Sequence, residues 1–170
     1  MRRGLYLGRF QPYHLGHHQV LKEIAREVDE IIIGIGSAQK SHEIENPFTA
    51  GERVLMVSSA LEEIGIKHYV IPIEDIQRNS LWVAHVKSMV PPFEMAYTNN
   101  PLVIELLTEA GIEVKQSPLF HRKNYSGSEI RRRMLAGDRW EHFVPGNVVE
   151  IIQDIDGVKR LTTIVQSDQV

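Results

Sequence analysis

The chain has no cysteine, so disulfides and thiolate metal sites are excluded and a reducing compartment is the natural expectation. It has no strong excess of either charge. A formal net charge of −3 excludes a basic wrapper for nucleic acid, so any polyanion it binds is small and held by local clusters of positive groups. No apolar run approaches the ~20 residues that span a bilayer, and Met1-Arg2-Arg3 leads into a strand-like stretch without a cleavage pattern. These absences set the expectation of a cytoplasmic protein with no membrane or nucleic-acid partner. Internal repeats, linkers and low-complexity tracts are missing too, which leaves a single domain over 1–170.

What is present is ordinary for a globular chain: 42% hydrophobic and 24% charged residues, in a length sufficient to bury a core. Short runs rich in Ile, Val and Tyr alternate with helical patterns. That alternation predicts an α/β, Rossmann-like open parallel sheet with helices on both faces, and a helical C-terminal part from about 126. Strands are predicted at 4–7, 30–36, 68–72, 94–97 and 113–115. The second, Glu30-Ile31-Ile32-Ile33-Gly34-Ile35-Gly36, is apolar on both faces, as a central parallel strand should be.

The helical pattern opening near Gly16 sets Leu21, Ile24, Ala25 and Val28 on one stripe. Thr49-Ala50-Gly51-Glu52 reads as a capping box, opening a helix that turns Val54, Val57, Leu61 and Ile64 inward and stops near Gly65. A third helix, 80–89, ends before Pro91-Pro92, and Asn99-Asn100-Pro101 starts a fourth. Ser126-Gly127-Ser128-Glu129 reads as a second capping box, with Gly137 as the C-terminal cap. Helices near 147–155 and 158–165 follow, with Gly157 between them.

The chemistry concentrates in the first βα turn, Gly8-Arg9-Phe10-Gln11-Pro12-Tyr13-His14-Leu15-Gly16-His17. In an open parallel sheet this turn lies where ligands bind, and the helix it opens points free N–H groups at the same space. Gly8 and Gly16 carry no Cβ, so backbone can approach a ligand closely. His14 and His17 can each aim an imidazole N–H at a phosphate oxygen. Two other readings stand beside this one: one histidine as a helix cap with the other merely packed, or His14, His17 and His18 as metal ligands. No carboxylate sits in the turn, which disfavours the metal.

Ser126-Gly127-Ser128-Glu129-Ile130-Arg131 supplies a second helix start with two hydroxyls and a guanidinium one turn in. Arg131 is the expected ligand. Arg132 and Arg133 cannot share its face, and are expected on a solvated or subunit-contact surface.

Together, His14-Leu15-Gly16-His17 and Ser128-Glu129-Ile130-Arg131 resemble the paired signatures of the HxGH nucleotidyltransferases, which hold a nucleoside triphosphate from both ends. Three further stretches, 34–42, 46–53 and 75–83, are similar to archaeal nicotinamide-nucleotide adenylyltransferases, over essentially the whole chain but fading after about Lys159. The resemblance implies transfer of AMP from ATP to nicotinamide mononucleotide (NMN), giving NAD and pyrophosphate, with Mg²⁺ carried by the ATP phosphates rather than by a protein carboxylate cage. It implies catalytic roles for His17, His14 and Arg131. The implied ATP site is Gly8, Arg9, Phe10, Gln11, His14, Gly16, His17, Asn100, Pro101, Tyr125, Ser126, Gly127, Ser128 and Arg131. The implied NMN site is Ser37, Lys40, Asn46, Phe48, Arg53, Asp75, Asn79 and Trp82. A homo-oligomer, hexameric in archaeal relatives, is implied as well.

Trp82 offers a π face to a cationic nicotinamide ring, or else is a core aromatic on its helix. Arg53 is either a phosphate ligand or a surface helix residue. Asn99 departs from the glycine that the family usually has in its adenine-side loop; asparagine tolerates a left-handed backbone, so the turn can survive. The rival functions are adenylyl or cytidylyl transfer to another phosphate acceptor (FMN, phosphopantetheine, a polyol phosphate), or a non-catalytic nucleotide sensor.

Overall fold

A computed structural model describes residues 1–117 and 125–168. Five parallel strands, β1 (Arg3–Gly8), β2 (Glu30–Ile35), β3 (Lys67–Pro72), β4 (Met95–Tyr97) and β5 (Glu113–Lys115), form one sheet in the order β3-β2-β1-β4-β5. The helices are α1 (Leu15–Ile24), α2 (Ala50–Ile64), α3 (Trp82–Met89), α4 (Pro101–Glu109), α5 (Gly127–Ala136), α6 (Gly146–Asp154) and α7 (Gly157–Asp168). Each expected strand is present within a residue or two of its predicted bounds. The third helix begins later than predicted, because Asn79–Leu81 forms a 3₁₀ turn ahead of Trp82.

Alternation along β2 builds two cores. Ile31, Ile33 and Ile35 face a large apolar cluster with Leu21 and Ile24 of α1, Val57 and Leu61 of α2, Ile130 of α5, Val148 and Ile152 of α6 and Leu161 of α7. Ile32 faces the other way, joining Leu5, Ala96, Val86 of α3 and Leu107 of α4. All six residues of β2 are buried, which is why the strand reads as a continuous apolar run. Glu30 starts it between Arg3 and Lys67 on the neighbouring strands, and both cations pair with its carboxylate.

Helix ends follow local chemistry. Thr49 caps α2, Glu52 reaches back to the Thr49 N–H, and Gly65 ends the helix with φ 76°. Glu52 also takes a bidentate pair from Arg160 (2.6 and 2.8 Å), which docks α7 beside the start of α2. At α5 the expectation is only half met. Ser126 accepts from the Glu129 N–H, but the Glu129 carboxylate is turned outward to Arg132 and Arg133, so no reciprocal box forms.

Strand order reverses on either side of β1, with β2 to one side and β4 to the other. A doubly wound sheet leaves its crevice at such a switch point, outside the carboxyl ends of the strands.

Candidate functional site

The β1–α1 turn fills one side of that crevice. His14 is the N-cap of α1, and its Nδ1 accepts the backbone N–H groups of Gly16 (3.0 Å) and His17 (3.4 Å). The Nδ1 of His17 accepts the backbone N–H of His14 at 3.2 Å, which completes a capping box made of two imidazoles. The rings stack with centroids 3.7 Å apart. A ring nitrogen that accepts an N–H carries no proton, so the hydrogen-bond network assigns both neutral rings the Nε2–H tautomer. Burial holds the His14 imidazole down to about 3 and that of His17 well below its ordinary value, with the neighbouring ring adding to the effect on His17. Both are therefore neutral donors at pH 7. The cap uses Nδ1 of each ring and leaves each Nε2–H outside it.

His18 faces elsewhere. Its Nδ1 pairs with the Tyr13 hydroxyl at 2.9 Å and its Nε2 lies 3.7 Å from Glu63, so it does not join the other two.

Two turn residues expected at the ATP site have their side chains turned inward. Phe10 is buried, with a left-handed φ of 55°, and packs under His17 (4.7 Å) and on Tyr13 and Tyr6. Gln11 spends its carboxamide on a reciprocal pair with the Phe48 backbone (3.0 and 2.9 Å). The glycines make room for protein as much as for ligand. A Cβ at Gly8 would sit 2.9 Å from the Phe10 ring, and one at Gly16 would sit 2.8 Å from the His14 ring.

The second motif docks onto this turn across 120 residues of sequence, where Arg131 Nη1 donates to the Gln11 carbonyl at 2.7 Å. Arg131 is buried and passes close over Gly127, where a Cβ would come within 2.7 Å of its Nη1 and 3.1 Å of the Gln11 oxygen. Ser128 is exposed beside it, and Tyr125 lies against Gly16 and edge-on to Phe143. Arg132 is exposed and pairs with Glu129 and Asp138, while Arg133 is half-buried, pairing with Glu129 and covering the Phe143 ring.

Opposite lies a cavity of about 310 Å³, within the range of small-molecule sites. The strand ends supply Arg9, Ser37, Asp75 and Thr98, and Asn79, Trp82 and Asn100 complete the lining. Trp82 packs on the second core and also lines the cavity. Asp75 is held by Gln39, whose carboxamide exchanges two 3.1 Å hydrogen bonds with it. His85 accompanies this by bonding the Glu74 carbonyl at 2.9 Å. Asn100 caps α4, accepting from Leu102 and Val103, with Pro101 as the first helical residue.

Three of the residues expected at the NMN site are placed differently. Phe48 is wholly buried in the core and offers only backbone. Asn46 is buried in a turn with Glu43 and meets Arg9 at 3.5 Å. Arg53 is not a surface residue. It is fully buried, and all its donors go to carbonyl oxygens. Lys40 is exposed, with its carbonyl among those Arg53 holds. Asn99 does not use a positive φ, and its amide donates to Ser117 (2.8 and 3.1 Å), so the departure from glycine makes a contact instead of straining the turn. Gln39 and His85 were missed by sequence reasoning. Each acts through a hydrogen bond to a residue more than ten positions away, which no local pattern announces.

Residues 5–133 match the cytidylyltransferase-like family model. The nicotinamide-nucleotide adenylyltransferase of Methanosarcina barkeri is 65% identical over 168 residues, covering 99% of this chain and 97% of that one. The enzyme of the same name from Archaeoglobus fulgidus is 61% identical, covering 95% and 97%. The chain belongs to the nicotinamide-nucleotide adenylyltransferase family. The match to the Methanosarcina barkeri enzyme, at 99% of this chain, extends past Lys159. Among solved structures, a bifunctional NMN adenylyltransferase/ADP ribose pyrophosphatase from Francisella tularensis, complexed with AMP and a manganese ion, superposes with a TM-score of 0.75 at 19% identity. This chain covers 95% of its own length but about half (52%) of that longer protein, which bears on the shared fold. Among the described residues no helix is long and apolar enough to cross a membrane.

Proposed function

We propose that this family member transfers the AMP moiety of ATP to nicotinamide mononucleotide, releasing pyrophosphate and forming NAD. The observation that carries the reading is the pair of Nε2–H imidazoles at His14 and His17, set on the same turn that Arg131 of the distant motif grips. That turn adjoins the cavity of Trp82, Asp75 and Asn79.

A phosphate monoester is already an oxyanion near neutral pH, because its second pKa is about 6. One of its oxygens attacks the α-phosphorus, the bond from that phosphorus to the bridging oxygen breaks, and pyrophosphate leaves with the electron pair. No general base is required, which accords with two histidines held neutral and proton-bearing. The protein's work is alignment and stabilisation of charge on the phosphates. His17 and Arg131 act on the transferring and departing groups, with His14, Arg9 and Ser128 assisting.

In this reading the triphosphate itself would hold Mg²⁺, which would supply positive charge beside the phosphates. The donor set fits that assignment, because imidazole N–H and guanidinium groups bind phosphate oxygens and not cations.

In the cavity, Trp82 offers its face to the cationic nicotinamide, Asp75 adds negative charge and Asn79 reaches the carboxamide. Incubation with ATP, Mg²⁺ and a panel of acceptors tests the assignment. NAD formation with NMN is the expected product; formation of only FAD or dephospho-CoA would overturn it, as would saturable ATP binding with no pyrophosphate released.

A further inference from the structure

Arg53 occupies the first turn of α2 and is fully buried, yet no carboxylate pairs with it among the described residues. Its Nε donates to the Thr49 carbonyl (3.2 Å), Nη1 to Arg9 (3.0 Å) and Gly36 (2.9 Å), and Nη2 to Ser37 (3.2 Å) and Lys40 (3.3 Å). Burial and the nearby Arg9 pull this guanidinium down to about 10, so it is charged at pH 7. A buried cation is costly, and a leucine or methionine would pack this helix position without that cost. The charge must be compensated by what it organises.

The carbonyls it gathers are not a random set. Arg9 follows β1, Gly36 and Ser37 follow β2, and all three residues line the cavity. In a trans peptide the C=O and the following N–H point in opposite directions. Turning the Arg9 and Gly36 oxygens onto Arg53 therefore turns the Phe10 and Ser37 N–H groups the other way. Phe10 (φ 55°) and Ser37 (φ 48°) both hold the left-handed backbone that side-chain-bearing residues rarely adopt. Neither amide donates to an acceptor among the described residues. Strained peptides with free N–H groups, held by a buried cation, form the kind of concavity that binds an anion.

We infer that Arg53 is a positioning residue for phosphate transfer: without touching substrate, it fixes the Phe10 and Ser37 N–H groups as a pair of donors to the reacting phosphates and places its own charge behind them. The inference rests on the adenylyl-transfer reading only for the identity of those phosphates.

Steady-state kinetics of Arg53→Lys and Arg53→Met test it. Lysine keeps the charge but gathers its donors on a single nitrogen, and methionine keeps only the volume. Expected is a fall in kcat of about tenfold for lysine and about a hundredfold for methionine, with KM for both substrates changed less than about threefold. A lowered melting temperature with an unchanged kcat in folded protein would make Arg53 a structural clamp and overturn the inference. If neither variant folds, ¹⁵N spectra of the wild type decide. Addition of pyrophosphate and Mg²⁺ should shift the Phe10 and Ser37 amide signals, and signals that stay in place reject the donor pair. This titration needs no acceptor. A wild type that makes no NAD would refute the activity reading while leaving Arg53 to be judged on the amide shifts.

Discussion

The Nδ1 of His14 accepts the backbone N–H of His17, and the Nδ1 of His17 accepts the backbone N–H of His14. One reciprocal contact thus caps α1, sets both tautomers and leaves two Nε2–H groups side by side. It separates the stability role of each ring from the catalytic one proposed for it. His14→Asn retains a good cap acceptor and should leave the melting temperature nearly unchanged, whereas His14→Ala should cost about 1 kcal/mol of stability. His17→Ala should lower kcat by about a hundredfold or more, the usual loss of one transition-state donor. A folded His17→Ala enzyme with wild-type kcat would remove that ring from the mechanism.

The same geometry sets a pH dependence. Both imidazoles have folded-state values depressed below the ordinary 6.5 by burial, so in acid the unfolded chain takes up protons first. Their contribution to stability is complete above about pH 6.5 and is lost as the pH falls, until folded His14 titrates near 3. The slope is at most about 1.4 kcal/mol per pH unit for each ring. Urea unfolding at pH 7, 6 and 5 measures it, and His14→Asn should show a shallower slope than wild type. Equal slopes in the two proteins would mean that His14 titrates freely.

Trp82 serves core and cavity at once, which predicts a divided response. Trp82→Phe should keep the fold and most of the acceptor binding. Trp82→Ala should raise KM for NMN about tenfold, from loss of a stacked cationic contact worth roughly 1–2 kcal/mol, while KM for ATP stays put. A matched rise for both substrates would indicate collapse of the cavity wall instead.

Gly127 is where the two motifs meet. An added methyl group would stand 2.7 Å from Arg131 Nη1 and 3.1 Å from the Gln11 carbonyl. Gly127→Ala should therefore displace Arg131 and lower kcat/KM for ATP by on the order of a hundredfold, with little effect on NMN binding. The measurement is kcat/KM for ATP at saturating NMN, together with NMN affinity by calorimetry. A fully active variant would show that Arg131 has a second route to the phosphates.

Much of the fold was legible because it is governed by local periodicity. The Ile-rich β2, the Thr49 and Glu52 capping box and the glycine stops at Gly65 and Gly137 each read correctly from a few adjacent residues. The second capping box failed for a reason beyond that window, since Glu129 has two arginines on its own helix competing for its carboxylate. Site residues divided along the same line. Ser37, Asp75, Asn79 and Trp82, named for one substrate, and Asn100, named for the other, line one cavity, while the side chains of Phe10, Phe48 and Arg53 are turned inward.

Sequence by itself determined the alternating α/β plan, the helix starts that follow Tyr13 and Tyr125 and the absence of disulfide chemistry, because each depends on neighbours within a helical turn or on composition. Only tertiary structure decided which nitrogen of each histidine carries the proton, that Arg131 crosses 120 residues to hold the Gln11 carbonyl, and that Arg53 spends its donors on backbone. The physical reason is the same in all three cases. A polar side chain takes the partner that burial brings to it, and those partners are assembled by the β1, β2 and α5 ends only after the sheet has formed.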